Sequence, residues 1–175
     1  MSFDYQPVLK GELVELRPLR QEDYESLYRV ASDPLIWEQH PISNRHERES
    51  FRAFFREALA SGGSLIAIER QTDTVIGSSR FNGHDEELGE VEVGWTFLAR
   101  SFWGGKYNAE IKRLMLHHAF RFVPRVVFLV GPFNVRSQRA VEKLGATRTG
   151  SRIDGNGQES YLYEITQEML AESPS

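Results

Sequence analysis

The residues from Glu90 to Phe122 hold the densest chemistry in the chain. An alternating stretch, Glu90–Leu98, leads through Trp103-Gly104-Gly105-Lys106 into a segment with helical spacing. A strand feeding a glycine turn at a helix start is suited to holding phosphate. The first N–H groups of a helix lack partners within it, and the helix dipole adds partial positive charge there. Glycine lets a ligand approach the main chain closely. A nucleoside triphosphatase loop, G-x-x-x-x-G-K-[ST], is excluded, because Tyr107 follows Lys106 and Arg100 stands at the first glycine position. A dinucleotide fingerprint is excluded as well, since Gly104-Gly105 is followed by Lys106 and lies far from the first strand. The diphosphate of coenzyme A fits better, because it needs only a few convergent amides and a cation. His117 and His118 are adjacent. On a helix they point about a hundred degrees apart, so they are poor metal partners for each other.

The elements that must position this turn follow from periodicity. Residues 13–17 alternate as a short strand, and residues 21–31 carry Tyr24, Leu27, Tyr28 and Ala31 at helical spacing. Residues 35–43 read as a loop. Asn44 with Glu47 predicts a capped helix whose face is Phe51, Phe54, Phe55, Ala58 and Leu59, closed by Gly62-Gly63. Residues 64–69 and 74–81 predict a hairpin. In the strand 90–98, Val91, Val93, Trp95 and Phe97 are expected on one face, with Glu90, Glu92, Gly94 and Thr96 on the other. The helix is expected over 106–122, burying Ile111, Leu114, Met115, His118, Ala119 and Phe122. Residues 126–130 form a continuous apolar run, as in a strand covered on both faces. Asn134 can cap a helix reaching Leu144, with Gly145 ending it. Two further strands, 146–153 and 160–165, flank the turn 154–157. The order β-α-α-β-β-β-α-β-α-β-β is that of an α/β domain with a mixed sheet, spanning 1–175 as one unit.

Composition sets outer bounds. The chain has 175 residues and a formal net charge of -4. That balance argues against nonspecific nucleic-acid binding, which needs a large cationic footprint. Cysteine is absent, which removes disulfides, thiol nucleophiles and cysteine-ligated metals. No apolar run of signal-peptide or membrane-spanning length is apparent, so a cytoplasmic protein without membrane association is expected.

Three motifs together resemble the GNAT superfamily of acyl-CoA N-acyltransferases, and within it the branch of ribosomal-protein N-terminal acetyltransferases. They are Glu92–Trp95 followed by WGGKYNAE from Trp103, the run N-x-x-S-x-x-A-x-x-K-L-G-A from Asn134 to Ala146, and the opening segment 16–37 with its D-P break. The resemblance covers nearly the whole chain. It implies a mostly antiparallel twisted sheet, splayed between its fourth and fifth strands and flanked by helices, with acetyl-CoA in the splay and no metal. The diphosphate would lie on the amides of Trp103, Gly104, Gly105, Lys106, Tyr107 and Asn108. The pantetheine arm would follow the main chain of Thr96, Phe97 and Leu98, and Asn134 and Ser137 would also contact the cofactor. Glu92 matches a glutamate position used as a base in the superfamily, with Glu90 second. Tyr161 or Tyr163 would protonate the leaving thiolate. Two departures stand out. The phosphate signature [QR]-x-x-G-x-[GA] reads Ser101-x-x-Gly104-x-Lys106, so an ammonium replaces a small residue and is expected to pair with the diphosphate. Val141 also occupies the position of a tyrosine that often serves as acid. The expected activity is acetyl transfer to a primary amine, on a protein N-terminus or a small molecule, by direct attack. A noncatalytic acyl-CoA-binding or regulatory domain is the alternative. The family also allows a homodimer.

Overall fold

The computed structural model describes residues 2–153 and 157–170. Its strands are β1 (Leu9–Lys10), β2 (Val14–Pro18), β3 (Ser64–Glu69), β4 (Thr74–Asp85), β5 (Glu90–Leu98), β6 (Arg125–Val130), β7 (Thr147–Ile153) and β8 (Glu159–Thr166). The helices are α1 (Tyr24–Ala31), α2 (Arg48–Ser61), α3 (Lys106–Ala119) and α4 (Val135–Leu144). One sheet runs in the order β1-β2-β3-β4-β5-β6-β8-β7. The element order is the expected one with β1 added in front, so the fourth and fifth strands of the sequence reading are β5 and β6. Of the residues expected to form the turn 154–157, 154–156 lie outside the described residues.

Two apolar clusters sandwich the sheet. Ile111, Met115, Leu116 and Ala119 of α3 and Val141 and Leu144 of α4 pack on one face, against Val91, Val93, Val126 and Phe128. Leu27 and Ala31 of α1 and Phe51, Phe54 and Phe55 of α2 pack on the other, against Phe97. Burying an aromatic such as Phe51, which is 0% exposed, stabilises the fold by about 1.5–3 kcal/mol.

Two features of β5 place the site. The first is that β5 and β6 are parallel and pair only at Glu90↔Arg125, Val91↔Val126 and Glu92↔Val127. Beyond Glu92 the two strands part. Each remains tied to its outer neighbour, β5 to β4 through Leu98 and β6 to β8 through Val130. The sheet is therefore split by a wedge. The second is a bulge: Arg80 pairs with Gly94 and Ser78 with Phe97, so Trp95 and Thr96 both face Ser79. Trp95 takes φ +54°, a left-handed conformation uncommon outside glycine. One inserted residue shifts the side-chain period by one. Val91 and Val93 consequently face α3, whereas Trp95 and Phe97 face α1 and α2. The expectation that these four share a face fails for this reason. The partner strand closes tightly here, since a Cβ on Gly77 would stand 2.0 Å from the Phe97 carbonyl oxygen.

Other differences are local. α2 begins at Arg48 with Glu47 as its N-cap residue, not after Asn44, whose Oδ1 instead accepts from Ser50 Oγ. Residues Pro34–Trp37 form a 3-10 turn that buries Ile36 and Trp37. α3 stops at Ala119 rather than Phe122; its buried residues also include Lys112 and Leu116, while Leu114 and Phe122 pack partly buried against the same core.

Candidate active site

The wedge between β5 and β6 opens into a long cleft lined by β5, β6 and the N-terminal turns of α3 and α4. Gly104 and Gly105 take φ +117° and +98°, and nothing lies within 4 Å of a Cβ placed on either. The conformation favours glycine, and the open space leaves the main chain free for a ligand to approach. Gly105 caps α3, so the N–H groups of Lys106, Tyr107 and Asn108 open the helix without intrahelical partners. The Lys106 side chain is exposed beside them and lines the cleft. An unobstructed amide cradle with a cation at its edge fits a diphosphate. Tyr107 contributes main chain only, because its hydroxyl turns away and donates to Glu69 Oε2 at 2.9 Å.

Trp103 and Arg136 brace the mouth of the cleft. Trp103 Nε1 donates to the Leu98 carbonyl at 2.9 Å, and the Arg136 guanidinium sits 3.9 Å from the Trp103 ring centre. Arg136 also donates to the Ile36 carbonyl. Thr96, Phe97 and Leu98 line one wall, and Asn134 and Ser137 the other. Asn134 is a helix cap, its Oδ1 accepting from Ser137 N at 3.2 Å. Its Nδ2 donors take no part in that cap.

Glu92 stands at the last paired rung, where the strands begin to part. It lies across from Asn82, and its Oε2 comes within 3.4 Å of where a Gly94 Cβ would be. Burial pushes its carboxyl up to about 7, against the pull of Asn82, Arg152 and Arg80. Glu90 is the opposite case. It is 4% exposed and paired with Arg152 at 2.9 Å and Arg125 at 3.0 Å. Hydrogen bonding from Arg152, then Arg125, holds it below the usual carboxylate range. It is a structural anion, and the expectation of a reserve base is not met.

On the same side as Glu92, the bulge turns Trp95 into a lobe with Asn82, Glu57, Arg45, Trp37 and His40. Arg80 is 1% exposed, pairs with Glu57 at 2.8 Å and lies 4.4 Å from the Trp95 ring centre. His40 is half-buried. Its Nδ1 accepts from Ile42 N, and burial together with the charges of Arg45 and Arg136 pushes its pKa down to about 4. It is a neutral wall of the lobe at neutral pH.

Neither tyrosine proposed as acid is brought to the cleft. Tyr163 is 1% exposed, with its hydroxyl donating to Glu142 Oε2 at 3.3 Å. Tyr161 lies under the Arg148 guanidinium, 3.5 Å from its ring centre. Sequence reasoning missed Lys112, whose Nζ donates to Thr96 Oγ1 at 2.8 Å and Asn108 Oδ1 at 3.1 Å. A signal was present. Lys112 falls between Ile111 and Met115 on the buried stripe of α3, one turn after Asn108. Among the described residues, no cluster of His, Asp or Glu could hold a metal ion, and no helix is long and apolar enough to cross a membrane.

Comparison with known proteins defines the class. The acetyltransferase (GNAT) domain family matches residues 14–147, and the chain belongs to it. It is an acetyl-CoA-dependent N-acetyltransferase. Among its relatives, a Bacillus licheniformis protein described as uncharacterized N-acetyltransferase p20 is 27% identical over 166 residues, covering 90% of this chain and 92% of that one. The acetyltransferase (GNAT family) of Bacillus anthracis superposes with a TM-score of 0.75 at 22% identity, covering 93% of this chain and 99% of that one. Mycobacterium smegmatis RimJ, solved in complex with CoA-disulfide, superposes with a TM-score of 0.67 at 22% identity, covering 95% and 89%. These two likenesses are likenesses of fold.

Proposed function

We propose that the protein moves the acetyl group of acetyl-CoA to a primary amine, on a protein N-terminus or a small molecule, by direct attack with Glu92 as base. The amides of Trp103, Gly104, Gly105, Lys106, Tyr107 and Asn108 hold the diphosphate, with the Lys106 ammonium at its edge. The arm runs along Thr96, Phe97 and Leu98, opposite Asn134 and Ser137. This brings the thioester to the bulge, where the main chain of β5 has lost β6 as a partner and can polarise the carbonyl. The acceptor enters from the lobe of Trp95, Asn82 and His40. Its nitrogen bonds to the acetyl carbon and gives a proton to Glu92, directly or through one water. The carbon–sulfur bond breaks, and the thiolate takes a proton from solvent.

The observation that carries this reading is the Glu92 carboxyl, raised to about 7 at the rung where the strands part. A base with that proton affinity can accept a proton near neutral pH and release it again. The test is thiol release from acetyl-CoA with a panel of short peptides bearing free N-termini, amino sugars and polyamines, with mass detection of the products. An acetylated amine supports the reading. Tight CoA binding with no acetylated product across the panel overturns it.

A further inference from the structure

Lys112 is 4% exposed and lines the cleft, yet no carboxylate pairs with it among the described residues. An apolar residue would fill the same place on the α3 stripe without the cost of burying an ammonium. The hydrogen bonds of Lys112 show what the ammonium does. Its Nζ donates hydrogen bonds to Thr96 Oγ1 at 2.8 Å and Asn108 Oδ1 at 3.1 Å. Thr96 Oγ1 lies 2.8 Å from Ser79 Oγ, which donates in turn to the Gly94 carbonyl at 3.4 Å. The chain Lys112, Thr96, Ser79, Gly94 runs in one direction and grips the main chain on both sides of Trp95. Trp95 is the residue forced to φ +54°, a conformation that persists only where surroundings hold it. At its other end Lys112 holds Asn108, in the first turn of α3.

We propose that Lys112 is a positioning residue for acyl transfer: it clamps the β5 bulge to the first turn of α3, so that the main chain facing the thioester is held in fixed relation to the amides facing the diphosphate. The proposal rests on the placement of acetyl-CoA given above. Burial alone pushes the Lys112 side chain down to about 7, so ammonium and neutral amine are both populated near neutral pH, and either form has the two N–H groups that these bonds use.

The test needs no acceptor. Isotope-edited infrared spectroscopy of bound [1-13C]acetyl-CoA reads hydrogen bonding at the thioester carbonyl, and titration with CoA reads affinity separately. In the wild type the carbonyl band moves to lower frequency on binding. Lys112→Met and Thr96→Val should each lose most of that displacement while still binding CoA. The double variant should lose no more than Lys112→Met alone, because both changes break one chain. With the best acceptor from the panel, kcat should fall about 100-fold, with KM for acetyl-CoA little changed. A Lys112→Met protein with the wild-type band, or one that loses CoA affinity while its bound band is unchanged, overturns the proposal. Should Lys112→Met fail to fold, Thr96→Val alone decides by the same readings. A wild type that binds no CoA refutes the acetyl-CoA placement instead, and this inference with it.

Discussion

Glu92→Gln should make the protein both slower and more stable. Raising the carboxyl from 4.5 to about 7 means that ionising it in the folded state is unfavourable, at about 1.4 kcal/mol for each tenfold change in proton affinity. With a discount for partial solvent access, the ionised carboxylate costs about 2–3 kcal/mol of fold stability. The sign follows from proton binding. Between pH 4.5 and about 7 the folded state keeps a proton that the unfolded chain has lost, so this stability is full below 4.5 and declines as pH rises through 7. Glutamine stays neutral and keeps the shape. Denaturant unfolding at pH 8 should therefore show the variant about 2–3 kcal/mol more stable, while the two proteins converge near pH 4. In melting experiments the gain at pH 8 is about 5–10 °C. Turnover should move the other way. Wild-type kcat/KM should climb with pH and level off above about 7. The variant should lack that limb and run about 10²–10⁴-fold slower at pH 8. Comparing both proteins on one acceptor cancels the titration of the acceptor itself. Equal stabilities at pH 8 would refute the raised carboxyl. An unchanged pH profile in the variant would refute Glu92 as base.

Further outcomes follow from the same geometry. Gly104→Asp places a negative side chain in the diphosphate cradle at φ +117°, and CoA affinity by titration calorimetry should fall at least about tenfold. Gly77→Ala drives a methyl group into the Phe97 carbonyl, and urea unfolding should show a loss of about 1–3 kcal/mol. Asn134→Ala removes the cap on α4; the expected loss is about 1 kcal/mol, with weaker CoA binding in the same preparation.

What the sequence made legible is what local chemistry dictates. The glycine turn before α3, the Asn134 cap and the Gly145 stop of α4 each need particular residues at particular offsets, and all three are in place. The apolar run of β6 and the amphipathic α2 also read correctly, because burial imposes their periods. The bulge did not, since one residue inserted in a strand leaves no mark in an alternating pattern and only the partner strand defines it. Glu90 and Glu92 look alike in sequence. Their opposite proton affinities come from Arg125 and Arg152, which reach Glu90 from β6 and β7. Tyr161 and Tyr163 were misjudged for a similar reason: the faces of β8 depend on how β6, β7 and α4 surround it. The start of α2 slipped because Asn44 spends its side-chain oxygen on Ser50.

The most direct measurement is a crystal structure with acetyl-CoA bound. The diphosphate oxygens should lie within hydrogen-bonding distance of main-chain N–H groups between Trp103 and Asn108. The pantetheine arm should lie between β5 and β6, with the acetyl carbon turned toward Glu92. A diphosphate seated on any other segment, or an acetyl group on the far side of the bulge from Glu92, would contradict the proposed site.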